Sequence, residues 1–285
     1  MRQRVITGII FTVVIVSIVL PMYYLPIISM LFAAIVGVVS IVEMIKALKA
    51  GQMKPATSMM AFGMVLTFAC ALVGYFTKNA LLTITIYSLM MMMLSFAIGI
   101  TPQIFSTEKD LITSGVASAS AMLYVTFPLI CLMVTSMCFV NGWYYVVMAL
   151  FAPWISDTFA YFTGVTMGKH KIVPHISPKK TWEGCIGGAI GCAVVVMLYI
   201  GLLVYDIEGI NTSRTIMMVI AFVFGLFISV FSQIGDWLAS SIKRLVGIKD
   251  FGSFMPGHGG MLDRFDSVFF TLPIGLGLAL ISSVL

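Results

Sequence analysis

Charged residues are scarce in this sequence, and their scarcity excludes the largest class of proteins. Only 9% of the 285 residues are Asp, Glu, Lys or Arg, and 60% are hydrophobic. An ordinary soluble domain has roughly 25% charged residues. A soluble fold of this size has too little interior for so many apolar side chains, so lipid must be the solvent for most of the chain.

CxxC pairs and a signal-peptide cleavage pattern are also missing. The five cysteines all lie inside apolar stretches and form no CxxC pair; they are Cys70, Cys131, Cys138, Cys185 and Cys192. This arrangement argues against a thiolate metal site and against a disulfide framework. The first apolar run follows Met1-Arg2-Gln3-Arg4 and ends at Pro21 without a small-residue cleavage pattern. We therefore expect a retained first span rather than a signal peptide.

Long hydrophobic runs recur from one end of the chain to the other. A bilayer core about 30 Å thick requires roughly 20 apolar residues per helix. The sequence therefore predicts an all-α polytopic membrane protein with about nine transmembrane helices, at residues 5–24, 27–45, 56–76, 79–100, 113–139, 143–165, 184–205, 215–235 and 265–285. We divide the chain into N-terminal helices (1–112), middle helices with a Lys-rich loop (113–184) and C-terminal helices (185–285).

The distribution of cations predicts the orientation of these spans. With the N-terminus in the cytoplasm, only Lys78 and Arg214 of the 16 Lys and Arg residues fall on the outer side. Such a bias follows the positive-inside rule. We expect a cytoplasmic N-terminus, an outer C-terminus and an integral membrane location, with the reactive groups facing the cytoplasm.

The last inner loop, residues 240–264, places acids beside cations. Asp236 lies where the eighth span leaves the bilayer, and Asp263 lies where the ninth enters it. Carboxylate oxygens without a nearby thiol suit Mg²⁺ rather than zinc. Asp266 follows Asp263 by three residues and shares its helical face. An acid at this depth is costly unless it is paired or functional.

Cations and glycines complete this pattern. Arg offers bidentate phosphate contacts, whereas Lys acts as a point charge. Glycines allow backbone N–H groups to approach a phosphate closely. The loop supplies both types of group, at Lys243, Arg244, Lys249, Gly257, Gly259, Gly260 and Arg264, with His258 between the glycines. Acids, cations and a Gly-rich turn together predict phosphoryl or nucleotidyl transfer. The alternative is a solvated loop that only satisfies the positive-inside rule.

An earlier inner loop, residues 168–184, supports this prediction. Lys179 and Lys180 follow a Ser-Pro turn and can clamp a triphosphate, while Thr181 and Glu183 precede a helix whose free N–H groups favour an anion. Asp157 lies within the sixth span, where an isolated acid is a functional candidate. A buried, hydrogen-bonded role for Asp157 against another helix is the alternative.

The segment 240–266 resembles the signature of the phosphatidate cytidylyltransferase (CDP-diacylglycerol synthase) family. The matching positions are Ser240, Lys243, Arg244, Lys249, Asp250, Gly252, His258, Gly259, Gly260, Asp263, Arg264 and Asp266; Met255 stands where Leu, Ile or Phe is usual. Segment 177–184 and Asp157-Thr158-Phe159-Ala160-Tyr161 also look like this family. The first 140 residues resemble it only in being several apolar spans.

This resemblance implies transfer of the cytidylyl group of CTP to phosphatidate, giving CDP-diacylglycerol and pyrophosphate. It implies Asp236 and Asp263 as Mg²⁺ ligands, with a second cation possible, and a catalytic set that also includes Lys249, Asp250 and Asp266. The implied substrate-binding residues are Asp157, Lys179, Lys180, Thr181, Ser240, Lys243, Arg244, His258, Gly259, Gly260 and Arg264. We expect a bacterial inner membrane protein that meets membrane lipid and no nucleic acid. A homodimer fits such helical enzymes, although no residue argues for one.

Two other functions compete with this one. An ion-coupled transporter would use Asp157, Asp236 and Asp266 as a path, but it would distribute charges through the bilayer rather than gather them on one side. A polyprenol kinase-like enzyme would also use CTP. The CDP-alcohol phosphotransferases are disfavoured because their pattern includes an Asp-Gly pair, and this sequence has none.

Overall fold

The computed structural model describes residues 2–105, 110–173, 177–208, 210–253 and 259–285. Within these ranges, eight helices are long and apolar enough to cross a membrane, if the continuous run Trp182–Glu208 is taken as one. The prediction of an all-α polytopic membrane protein is confirmed.

The chain forms two compact units, which comprise Met1–Cys138 with Ile242–Phe265, and Phe139–Ser241 with Asp266–Leu285. Unit 1 begins with α1 (Arg2–Val19), a 3-10 turn (Leu20–Tyr23), α2 (Ile28–Ala50), α3 (Thr57–Thr77), α4 (Ala80–Phe105) and α5 (Asp110–Cys138). Helix α5 packs against α2, α3 and α4. In the apolar stretch of α5, 78% of the residues are buried, against 22% in α4, so α5 is the central helix of this unit and α4 lies at its surface.

Unit 2 contains α6 (Gly142–Met167), the hairpin strands β1 (Lys171–Val173) and β2 (Ser177–Thr181), and α7 (Trp182–Tyr199). A π-helical segment (Ile200–Val204) joins α7 to α8 (Tyr205–Glu208), and α9 (Arg214–Leu245) and α10 (Leu262–Ser282) follow. The strands are antiparallel, with Lys171 opposite Thr181 and Val173 opposite Ser177. The ends of α9 and α10 that flank the last loop belong to unit 1.

Small residues allow α6 and α7 to pack closely. A Cβ atom on Gly188 would lie 2.9 Å from the Ala160 Cβ atom and 2.9 Å from the Ser156 oxygen. One turn earlier, a Cβ atom on Gly184 would lie 2.8 Å from the Ala160 oxygen. Membrane helices use such small residues to bring their backbones together. This contact fixes the end of α6, the hairpin and the start of α7 as one framework.

The observed helices follow the predicted spans with three differences. The first predicted span falls on α1 and the 3-10 turn, whose described apolar stretch, Ile10–Tyr23, is shorter than the other spans. Helix α9 continues to Leu245, well past the predicted end at residue 235. The loop 168–184 contains the β-hairpin, which the all-α prediction did not include. The division of the chain into three segments stays a prediction.

Candidate active site

Each unit contains one group of candidate residues. The Lys180 cluster, in unit 2, consists of Asp157, Lys180 and Asp236. The Asp263 cluster, in unit 1, consists of Glu43, Lys243 and Asp263 with the backbone around them. Both clusters pair a lysine with an aspartate; the roles predicted for these residues stay predictions.

In the Lys180 cluster, one ammonium group lies among two carboxylates and an indole ring. Lys180 Nζ donates a hydrogen bond to Asp236 Oδ2 and lies 5.7 Å from the ring centroid of Trp237. Asp157 interacts electrostatically with both Lys180 and Asp236. The side chains of Lys180 and Asp236 remain 26% and 34% exposed. Partial exposure keeps these charges hydrated, so the ion pair is weak enough to exchange partners.

A cavity of about 310 Å³ adjoins this cluster. Its lining includes Asp157 and Lys180, the small residues of the α6–α7 contact and Gln233; the full set is Asp157, Ala160, Tyr161, Gly164, Val165, Lys180, Thr181, Gly184, Cys185 and Gln233. The Gln233 amide donates to the Cys185 oxygen at 3.2 Å and to Ser229 Oγ at 3.1 Å. The volume is at the small end for ligand pockets, which suits a head group or part of a nucleotide.

The hairpin that carries Lys180 is anchored at the start of α7. Thr181 caps this helix, because its Oγ1 atom accepts a hydrogen bond from the Gly184 N–H at 3.2 Å. The Glu183 carboxylate accepts hydrogen bonds from the N–H groups of Lys169 at 3.1 Å and His170 at 3.2 Å. It also lies 2.6 Å from His170 Nδ1. Glu183 therefore ties the entry of the hairpin to its exit, and this connection sets the position of Lys180.

In the Asp263 cluster, one carboxylate is held by three donors. Asp263 Oδ1 accepts a hydrogen bond from Lys243 Nζ at 2.6 Å. Asp263 Oδ2 accepts from the N–H groups of Phe251 at 2.8 Å and Gly260 at 2.9 Å. The side chains of Lys243 and Asp263 are only 14% and 4% exposed. This pair is therefore far more desolvated than the pair in the Lys180 cluster, and its geometry is much more constrained.

Glu43 is the site residue that sequence reasoning missed. It projects from α2, is 5% exposed and uses both carboxylate oxygens, accepting hydrogen bonds from the N–H groups of Met261 and Leu262 at 2.9 Å each. The candidates predicted from the sequence lie in the two inner loops or close to them, whereas Glu43 lies in the second apolar span. The available signal was an isolated acid inside an apolar span, which is costly without a partner.

The glycines of the last loop make room for these carboxylates. Gly259 has a φ angle of +80°, which favours glycine, and a Cβ atom there would lie 2.8 Å from Asp263 Oδ2. The Gly260 N–H already donates to Asp263. The contacts with Asp263 thus give both glycines a structural role. The contact of these glycines with a substrate phosphate stays a prediction.

The other candidate residues differ in their exposure. Arg244, Lys249 and Asp250 are exposed, while Ser240 and Arg264 are half-buried. Asp266 is 8% exposed, and its Oδ1 atom accepts a hydrogen bond from the Ser267 N–H at 2.7 Å. Lys179 lies in β2, and His258 lies outside the described residues.

The predicted Mg²⁺ ligands, Asp236 and Asp263, belong to different units, and their pairing stays a prediction. Within the described ranges, no three His, Cys, Asp or Glu residues are grouped so as to hold a metal ion. Two carboxylates with oxygen donors from substrate and water remain a suitable set for Mg²⁺.

Apolar spans, two lysine–aspartate clusters and a glycine-rich loop define a polytopic membrane protein with groups suited to phosphate chemistry. The chain belongs to the cytidylyltransferase family, whose model matches residues 2–281. It is 42% identical over 134 residues to a phosphatidate cytidylyltransferase of Staphylococcus saprophyticus, covering 47% of this chain and 48% of that protein. It is 43% identical over 143 residues to a phosphatidate cytidylyltransferase of Staphylococcus aureus, covering 50% and 51%. The chain thus spans about half the length of the curated relatives that it matches.

Proposed function

We propose that this chain transfers the cytidylyl group of CTP to phosphatidate, giving CDP-diacylglycerol and pyrophosphate. The family match over residues 2–281 supports a cytidylyltransferase, and the names of the relatives supply phosphatidate as the acceptor. In this reaction a phosphate oxygen of phosphatidate attacks the α-phosphorus of CTP. The bond between the α-phosphorus and the bridging oxygen breaks, and pyrophosphate leaves.

The observation that carries this proposal is the Lys180 cluster beside its cavity. Lys180 presents an ammonium group at the cavity, and two carboxylates lie next to it. The phosphatidate monoester is anionic at neutral pH, so the reaction needs charge neutralisation and alignment more than a general base. A partly exposed lysine can exchange its carboxylate partner for an incoming phosphate at little cost.

The Asp263 cluster is the more rigid of the two clusters. Asp263 is fixed by Lys243 and by two backbone N–H groups, so its position changes little when a substrate arrives. Lys243, Arg244, Lys249 and Arg264 provide positive charge for the triphosphate and for the lipid phosphate. Asp157, Thr181, Ser240, His258 and the loop glycines complete the proposed substrate contacts, and Asp250 and Asp266 support the aspartates.

We propose that Asp236 and Asp263 hold Mg²⁺, as the sequence predicts. Their fit to Mg²⁺ rests on the donor chemistry, because both offer hard carboxylate oxygens. When bound, the ion would neutralise charge on the phosphates of CTP. A second cation stays a prediction.

We further propose that the reacting groups face the cytoplasm of a bacterial cell membrane. The cation distribution supports this side, and the relatives are bacterial. A homodimer stays a prediction without a residue-level argument.

Product analysis with labelled CTP tests the proposed reaction. The purified protein is incubated with phosphatidate vesicles, Mg²⁺ and CTP carrying label on either the α-phosphate or the γ-phosphate, and lipids are identified by mass spectrometry. The proposal expects α-label in CDP-diacylglycerol and γ-label in pyrophosphate. Label from the γ-phosphate on a lipid would show a kinase instead, and the absence of any turnover would favour a transporter.

A further inference from the structure

Glu43 is 218 residues away from the loop that it contacts, and both oxygens of its carboxylate are occupied there. The two N–H groups that donate hydrogen bonds to Glu43 belong to consecutive residues, Met261 and Leu262, at the start of α10. The first N–H groups of a helix have no partner within the helix. A carboxylate at this end satisfies them and interacts favourably with the helix dipole.

Two acids together occupy three consecutive amides of this turn. Asp263 accepts a hydrogen bond from the N–H group of Gly260, and Glu43 accepts hydrogen bonds from those of Met261 and Leu262. Two carboxylates therefore stabilise the turn: Glu43, which comes from the distant helix α2, and Asp263, which directly follows the turn in the chain. Since the position of Asp263 depends on the same turn, a shift of Met261 and Leu262 would also move the Asp263 carboxylate.

Two glycines of the loop leave space for Glu43. A Cβ atom on Gly252 would lie 2.8 Å from Glu43 Cδ, and one on Gly260 would lie 2.6 Å from the same atom. Real Cβ atoms do not approach that closely, so a side chain at either glycine would require the buried Glu43 carboxylate to shift. The loop is thus built around this carboxylate.

We infer that Glu43 is a positioning residue, whose carboxylate fixes the turn Gly259–Leu262 and, through it, the Asp263 carboxylate for the reaction. This inference rests on the proposed function for its link to catalysis. The hold of Glu43 on the turn is a separate claim with its own measurement.

Hydrogen exchange measures that hold directly. Peptides covering residues 259–265 are followed by mass spectrometry in the wild-type protein, Glu43→Gln and Glu43→Ala. Gln keeps the length of the side chain, but it can accept only one of the two hydrogen bonds, so its effect should be the smaller one. Each lost charge-assisted hydrogen bond should accelerate exchange by about tenfold or more. The control is Asp206→Asn, which removes an acid that pairs with Arg214 elsewhere in the chain and should leave this peptide unchanged.

Kinetics measure the link to catalysis. Both Glu43 variants should lower kcat and raise the Mg²⁺ concentration for half-maximal rate by about 10- to 100-fold, as for residues that orient metal ligands. The KM for phosphatidate should stay near the wild-type value. Faster exchange with unchanged kcat and Mg²⁺ dependence would make Glu43 a structural cap only, and unchanged exchange in both variants would overturn the inference altogether. If the wild-type protein makes no CDP-diacylglycerol, the proposed function fails, and the exchange data alone decide whether Glu43 fixes the turn.

A glycine substitution provides a second, independent test of the contact between Glu43 and the loop. Gly252→Ala should displace Glu43 and reproduce the faster exchange of residues 259–265. In a Glu43→Ala background the same change should have much less effect, because the colliding carboxylate is gone. Gly99→Ala is the matched control, since a Cβ atom there meets nothing within 4 Å. Fully additive effects of Gly252→Ala and Glu43→Ala would contradict the inferred contact.

Discussion

Replacing Asp263 with Asn separates the chemical role of this residue from its structural role. Asn has the same shape as Asp, and its side-chain oxygen can still accept hydrogen bonds from the N–H groups of Phe251 and Gly260. Its amide nitrogen, however, would face the Lys243 ammonium group at the 2.6 Å contact now made by Asp263 Oδ1. Two donors would then oppose each other, and Lys243, only 14% exposed, would lose its counter-charge.

The expected loss of stability follows from this burial. Breaking one partner of a buried ion pair costs about 3–5 kcal/mol, and we expect about 3 kcal/mol because Lys243 can move its charge toward water along its flexible stem. The double variant Asp263→Asn/Lys243→Met removes both charges. Its free energy of unfolding should return to within about 1 kcal/mol of the wild type, since replacing both partners of a buried pair is often neutral.

Activity should not recover with stability. SDS titration in mixed micelles gives the free energy of unfolding, and labelled CTP with phosphatidate gives turnover over a range of Mg²⁺ concentrations. We expect Asp263→Asn and the double variant to lose roughly 10³-fold in turnover, as for removal of a preorganised electrostatic group. Near-normal turnover of Asp263→Asn across the Mg²⁺ range would refute the metal assignment. Recovery of turnover in the double variant would show that Asp263 serves only as the partner of Lys243.

Four further predictions test other parts of the site. Lys180→Met should change the free energy of unfolding by less than about 1 kcal/mol, because its ion pair is partly exposed. Turnover should nevertheless fall roughly 100-fold. A loss of turnover no larger than the loss of stability explains would contradict the role of Lys180 at the cavity. Glu183→Gln should accelerate hydrogen exchange at Lys169 and His170, while the exchange of residues 259–265 serves as the internal control. Gly188→Leu should overpack the α6–α7 contact and lower the free energy of unfolding by about 1–3 kcal/mol in SDS titration, with Gly99→Ala as the neutral control. Removal of divalent cations with EDTA should stop turnover and added Mg²⁺ should restore it, whereas turnover that persists in EDTA would exclude a required Mg²⁺.

The spans were predictable because length and hydropathy are local properties of the sequence. Two of the differences occur where a polar segment forms regular structure. Helix α9 continues to Leu245, although its polar residues from Gln233 onward match the end of a span. Strand β2 contains Pro178 and two lysines, which do not match a strand pattern, and only its antiparallel pairing with β1 shows it to be a strand.

The candidate site was predictable where its residues follow one another in the chain. The loop acids, cations and glycines were recognised from their spacing, and the structure places Lys243, Asp263 and Gly260 together. Glu43 was not predictable in this way, since its contact with Met261 depends on the packing of α2 against a loop more than two hundred residues away. The glycines were assigned to phosphate contact because glycine lets backbone N–H groups approach a phosphate closely. The sequence does not show which carboxylates lie beside them.

The two lysine–aspartate pairs have the same chemistry, but their surroundings suit them to different tasks. The Asp263 carboxylate is 4% exposed and has three donors, so moving it would leave buried polar groups unsatisfied. Such a group is preorganised and can act without reorganisation during the reaction. The Lys180 ammonium group is 26% exposed beside a cavity, and we expect that a phosphate can take the place of Asp236 as its partner. We therefore expect substrate arrival to change the contacts of Lys180, while Lys243 and Asp263 keep their contact with each other.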